Sequence, residues 1–137
     1  MFESEVQLRV RYAETDQMGY VYYGNYAAYY EVARTEVFRR LGIAYKELEA
    51  TGTMMPVLEL KCKYIRPAKY DDMLTVKLLL KKKPAGSRIL FEYEVYNEGG
   101  TLLNVGETTM VFVDMKSGRP TAVPDLIHQK MDSYFRE

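Results

Sequence analysis

A chain of 137 residues, 47% apolar and 28% charged, has the length and balance of one ordinary globular domain. Nineteen Lys plus Arg offset nineteen Asp plus Glu, so the formal net charge of zero excludes nucleic-acid or anionic-membrane binding driven by overall charge. The single cysteine, Cys62, excludes an intrachain disulfide and a cysteine zinc cage, and it fits a reducing, cytoplasmic setting.

No apolar run reaches the roughly 20 residues of a membrane span. The opening MFESEVQLRV lacks the basic-then-apolar pattern of a secretion signal. From Glu5 to Tyr12 the chain alternates, with Val6, Leu8, Val10 and Tyr12 on one side, which predicts a half-buried strand. Thr15, Asp16, Gly19 and Gly24 mark a loop over Ala13–Gly24. Tyr26, Tyr30, Ala33, Val37 and Leu41 then recur at helical steps and predict a helix over Tyr26–Leu41, capped by Asn25 and closed by Gly42. Its first turns are apolar nearly all round, as for a buried end. A short helix follows at Tyr45–Ala50, ending at Gly52.

Strands are expected at Val57–Tyr64, Leu74–Lys81 and Arg88–Tyr96, the first ended by Arg66-Pro67. Leu102–Met115 is apolar on both faces and predicts a long strand that is central or covered twice. Hairpin turns lie at Lys83–Ser87, Asn97–Gly100 and Lys116–Pro120, and a short amphipathic helix at the tail from Pro124. One strand, a long helix and a run of hairpin-linked strands describe a single α+β domain over residues 1–137 with an antiparallel sheet curled around the helix. One helix covers only one side of such a sheet, so a homo-oligomer is expected.

Enzyme signatures are sparse. His128 is the only histidine and lies far down the tail; phosphate-loop and dinucleotide glycine patterns are absent. Asp71-Asp72 reads as a solvated turn. Asp16 is the informative carboxylate. It stands between a strand and a helix start, among six tyrosines between Tyr20 and Tyr30. Such a residue can serve an Asx-turn. Alternatively, a carboxylate beside free helical N–H groups can hydrolyse an activated acyl group.

The stretch E-T-D-Q-M-G-Y-V-Y-Y-G-N-Y, Glu14 to Tyr26, followed by Glu31 and by Ala33-Arg34-Thr35-Glu36, resembles the opening of hotdog-fold acyl-CoA thioesterases of the 4-hydroxybenzoyl-CoA thioesterase group. Y-I-R-P-A-K-Y-D-D, Tyr64 to Asp72, matches that family's strand end and acidic turn. The resemblance implies a long central helix wrapped by a curved, five-stranded antiparallel sheet, and hydrolysis of an acyl-CoA to free acid and coenzyme A. It implies Asp16 as the catalytic carboxylate, acting as base or nucleophile, and the Tyr23 backbone N–H as oxyanion donor. Gly19, Tyr20, Asn25, Tyr26 and Glu31 become substrate-side positions, Glu31 across a dimer interface, against the plainer reading of a solvated or salt-bridged glutamate. Lys82, Lys83 and Arg88 become candidates for the coenzyme A phosphates, against the plainer reading of a solvated lysine edge. A homodimer at minimum, extending to a homotetramer, with no metal and no cofactor beyond the substrate's own coenzyme A, completes the expectation. The departures are Glu14 at the family's first acidic position, Gly24, and the lack of a histidine near the helix. That lack counts against a hotdog dehydratase. A non-catalytic acyl-CoA binding module would need the groove without Asp16.

Overall fold

The computed structural model describes residues 1–136. Strand β1 (Phe2–Arg9) leads through a 3-10 turn (Tyr12–Glu14) and a loop to a second 3-10 turn (Tyr23–Asn25), which runs straight into helix α1 (Tyr26–Arg40). There follow α2 (Tyr45–Ala50), β2 (Thr53–Met54), β3 (Val57–Tyr64), β4 (Met73–Leu80), β5 (Arg88–Tyr96), β6 (Leu102–Val111), β7 (Val113–Asp114), α3 (Asp125–Met131) and a closing 3-10 turn (Asp132–Phe135). The main sheet has the order β1-β4-β5-β6-β3 with every neighbour antiparallel, and β2 pairs with β7 beside it.

Alternation decides which face meets the helix. Leu74, Val76, Leu78 and Leu80 of β4 and Ile89, Phe91, Tyr93 and Val95 of β5 are buried with Tyr26, Tyr29, Tyr30, Ala33 and Val37 of α1. Each such fully buried large apolar side chain contributes about 1.5–3 kcal/mol by its removal from water. Gly42, at φ 74°, closes α1 as expected: its N–H reaches the Arg39 carbonyl and the Ile43 N–H reaches Phe38.

A polar seam runs through this core. The Tyr30 ring stacks on Tyr93 at 4.2 Å, and its hydroxyl bonds the Asn104 side-chain oxygen and meets the Cys62 sulfur at 3.3 Å. Asn104 Nδ2 donates to the Lys63 carbonyl at 3.0 Å and to Cys62 at 3.1 Å, which ties β6 to β3. The Arg34 guanidinium, 8% exposed, donates to the Tyr93 hydroxyl, which is paired with Thr108. Gly106 lies directly beneath the Tyr30 ring. A Cβ there would overlap the Tyr30 hydroxyl and stand 2.7 Å from the Lys61 carbonyl oxygen.

Four expectations change. The first strand begins at Phe2 and stops at Arg9, because Glu14 bonds the Arg11 N–H and guanidinium and turns the chain; Tyr12 therefore faces solvent. The long last strand breaks at Phe112: its N–H still keeps the β5 register by donating to the Ser87 carbonyl, but its own carbonyl accepts the Thr121 N–H and the chain beyond turns to pair with β2. It lies between β5 and β3, one strand in from the edge, with Val105 and Val111 of its outer face half-buried. Asn25 does not cap α1 through its side chain; Nδ2 donates instead to the Glu14 carbonyl at 2.8 Å. The early turns of α1 are buried on one side only, leaving Ala27, Ala28 and Val32 exposed.

Candidate active site

Asp16 opens a tight turn between two short paired segments, with Thr15 bridged to Val21 and the Asp16 N–H bonded to the Tyr20 carbonyl at 2.8 Å. Gly19 takes φ 78°, the left-handed conformation that lets the turn close. Asp16 Oδ1 accepts the Met18 N–H at 2.9 Å and the Tyr20 N–H at 3.2 Å. Thus the carboxylate does form an Asx-turn. Its Oδ2 takes no hydrogen bond from any described residue and remains available to a reactant. The loop is held from below by the chain after β3. Val21 N–H donates to the Ala68 carbonyl, Tyr70 N–H to Gly19, and Tyr20 bridges Lys69.

The helical end arrives at the same place. Within the 3-10 turn the Asn25 N–H already bonds the Tyr22 carbonyl and the Tyr26 N–H bonds Tyr23. Tyr23 and Gly24 hold the first two N–H groups, and neither is used by any described acceptor. The Tyr22 ring lies over Gly24, where a Cβ would come within 2.9 Å of it. The Tyr22 N–H and the Asn25 amide both bind the Glu14 carbonyl, so loop and helix start are one unit. Burial alone would raise the Glu14 carboxyl; the Arg11 N–H and guanidinium and the Tyr29 hydroxyl outweigh it and hold it below the ordinary carboxylate value. Burial, with Glu14 beside it, pushes the Tyr29 hydroxyl up, so it stays a donor.

Asp16, Tyr20, Val21, Tyr23, Tyr26, Tyr64, Ile65, Arg66 and Pro67 line one groove of about 320 Å³. Tyr64 stands edge-on to Tyr23 and Tyr26 and donates its hydroxyl to the Tyr23 carbonyl at 3.2 Å. That hydroxyl is pushed up to about 12, mainly by burial, and is neutral across the working pH range. Of the expected residues, Asp16, Tyr20, Tyr23 and Tyr26 meet at the groove; Gly19 and Asn25 shape it from behind. Glu31 is exposed on α1 and off the groove wall. Lys82, Lys83 and Arg88 sit at the other end of β4, eight residues or about 25 Å away. There Lys83 pairs with Asp132 at 3.0 Å, and His128 lies near the same carboxylate. Sequence reasoning missed Tyr64, Ile65 and Arg66 as groove residues. The Arg66-Pro67 signal for a strand end was the available clue, since a strand end beside a loop builds a wall.

The architecture, a long helix on the concave face of a five-stranded antiparallel sheet, is the hotdog fold, and the family model of the thioesterase-like superfamily matches residues 10–131. The chain belongs to that family. It is 35% identical over 120 residues to the acyl-CoA thioester hydrolase YbgC of Escherichia coli, covering 88% of this chain and 89% of that one. The solved DHNA-CoA thioesterase of Staphylococcus aureus superposes with a TM-score of 0.86 at 31% identity, over 100% of this chain and 97% of the other. At 18% identity, the 1,4-dihydroxy-2-naphthoyl-CoA thioesterase Slr0204 of Synechocystis shares the fold with a TM-score of 0.88, covering 99% of this chain and all of that one. The chain is a thioester hydrolase.

Proposed function

We propose that this enzyme hydrolyses an acyl-CoA thioester to the free acid and coenzyme A, with Asp16 as the catalytic carboxylate and the Tyr23 N–H as oxyanion donor. The observation that carries the reading is the meeting of an unengaged carboxylate oxygen and an unused helical N–H on one groove. The thioester carbonyl oxygen would accept the Tyr23 N–H, supported by the positive end of α1. Water, activated by Oδ2, adds to the carbonyl carbon; the C–S bond breaks, and the thiolate takes the proton. Alternatively Oδ2 attacks first and water hydrolyses the mixed anhydride. Both routes use groups the chain supplies and call for no metal or redox cofactor. The tyrosine walls favour a flat aromatic acyl group, the kind that the name of the Synechocystis relative specifies.

The active form is a homodimer at minimum. The free edge of β3 supports this: Leu58, Leu60 and Tyr64, on the face toward α1, are 50%, 46% and 51% exposed beside bare Ala27, Ala28 and Val32. An unpaired apolar edge is the template for a second strand, and a two-fold β3–β3 pairing covers both. The pairing reverses the second sheet, so the partner's Lys82–Arg88 hairpin comes to the Asp16 end, about three strand spacings or 14 Å from β3. Lys82, Lys83 and Arg88 then serve the other protomer's coenzyme A. The open outer face of the sheet, with Leu90, Val105 and Val111, offers the second contact of a tetramer. A cytoplasmic location keeps the Cys62 thiol reduced.

The test is a panel of acyl-CoAs assayed by thiol release with wild type and Asp16→Asn. The variant is expected to fold and to lose about 10²- to 10⁴-fold in turnover. Single turnover in ¹⁸O-water separates the routes, because only the anhydride path puts label into Asp16. Undiminished hydrolysis by Asp16→Asn would sink the assignment.

A further inference from the structure

Arg66 is the one cation on the wall of the Asp16 groove. The other arginines at this end are engaged, Arg9 with Asp71 at 3.5 Å and Arg11 with Glu14 at 3.1 Å. Arg66 has no ion pair among the described residues, and its side chain is exposed. Its backbone, by contrast, is fixed. The N–H groups of Ile65 and Arg66 both bond the Leu103 carbonyl, at 2.9 and 3.0 Å. Pro67 then locks its own φ, and fully buried Ala68 receives the Val21 N–H. Binding an anion from so rigid a base orders the side chain but no backbone, and the planar guanidinium fork suits a phosphate oxygen pair.

We propose that Arg66 binds the phosphates of coenzyme A as the pantetheine arm leaves the groove. The inference rests on the thioesterase reading above. In a protein of zero net charge, capture of a multiply anionic substrate depends on local cations. Arg66 stands just past the end of β3, between the groove and the edge across which the partner's Lys82–Arg88 hairpin would lie. Arg66 takes the pyrophosphate nearer the thioester, and the hairpin takes the more distant 3′-phosphate. The binding site is then a line of cations that begins inside the chain that owns Asp16.

Calorimetric titration tests this with three probes, coenzyme A, 3′-dephospho-coenzyme A and pantetheine, against wild type, Arg66→Gln and Arg66→Lys. Lys46→Gln, on α2 beyond the other end of α1, controls for loss of one charge. Arg66→Gln is expected to bind coenzyme A about 10- to 100-fold more weakly and to show a shallower salt dependence. It should lose as much on dephospho-coenzyme A and nothing on pantetheine. Arg66→Lys should recover part of the loss, and Lys46→Gln should match wild type. Equal loss on pantetheine would place Arg66 on the arm or acyl group and overturn the proposal, as would unchanged coenzyme A binding. A loss that vanishes on dephospho-coenzyme A would overturn the pyrophosphate assignment and move Arg66 to the 3′-phosphate. A wild type that binds no coenzyme A would overturn the thioesterase reading as well, whereas a competent wild type beside an unaffected variant refutes Arg66 alone.

Discussion

In the mechanism proposed above Asp16 has two tasks on two oxygens, and that separation makes Asp16→Asn a clean probe. An asparagine Oδ1 can still accept the Met18 and Tyr20 N–H groups, so the turn survives while the charge is lost. Asp16→Ala should lose turnover and also loosen the loop, visible as faster amide exchange at Met18 and Tyr20. Glu14 governs a separate response to acid. Its folded carboxyl lies below its unfolded value, so its stabilisation is complete above the ordinary carboxylate range and is lost as pH falls through the folded value. Thermal melts recorded from about pH 6 down to pH 3 should show a steeper decline for wild type than for Glu14→Gln. The two curves should converge at the acid end, and parallel curves would refute the role given to Glu14.

Among elements, α1 shows what periodicity can and cannot tell. The three-and-four spacing of Tyr26, Tyr30, Ala33 and Val37 marked both the helix and the face that is buried. The same reading expected a buried first turn all round, and Ala27, Ala28 and Val32 are bare in the single chain. Apolar spacing marks residues suited to burial, and the fold of one chain covers only those on the sheet side. The break at Phe112 was invisible for a related reason. The residue is apolar, fits a strand and keeps the β5 register at Ser87; only the distant Thr121 N–H on its carbonyl and the pairing of Val113 with Met54 mark the turn. Gly106 likewise reads as a weak strand residue until Tyr30 is seen above it. Gly106→Ala should therefore cost about 2–3 kcal/mol by overpacking, measured by denaturant unfolding, whereas Gly99→Ala at an open turn should cost far less.

For the whole molecule, the legible part of the site was its local half. The run from Glu14 to Tyr26 carries Asp16, the turn glycine and the helix start within a few residues of one another. The other half, Tyr64 to Pro67, comes from a distant strand end, and no spacing rule joins pieces so far apart in sequence. Assembly beyond the chain belongs to this scale too. If β3 forms the protomer interface, Leu60→Asp should give a folded monomer by light scattering and circular dichroism. A charge at the centre of an apolar seam is expected to raise the dissociation constant by about 100-fold or more. An unchanged mass would show that the subunits meet elsewhere.

The grip of residues 68–72 on the Asp16 loop has an evolutionary corollary. Val21 to Ala68, Tyr70 to Gly19, Asp71 to Val10 and Val10 to Asp72 are all joined by peptide groups alone. Position is thus assigned by main chain, while the Tyr20 and Ile65 side chains contribute only surface to the groove. Descendants can repaint those surfaces without disturbing the stapled frame, so new acyl preferences would arise by exchanging wall side chains while the proposed pair, Asp16 and the Tyr23 N–H, stays put.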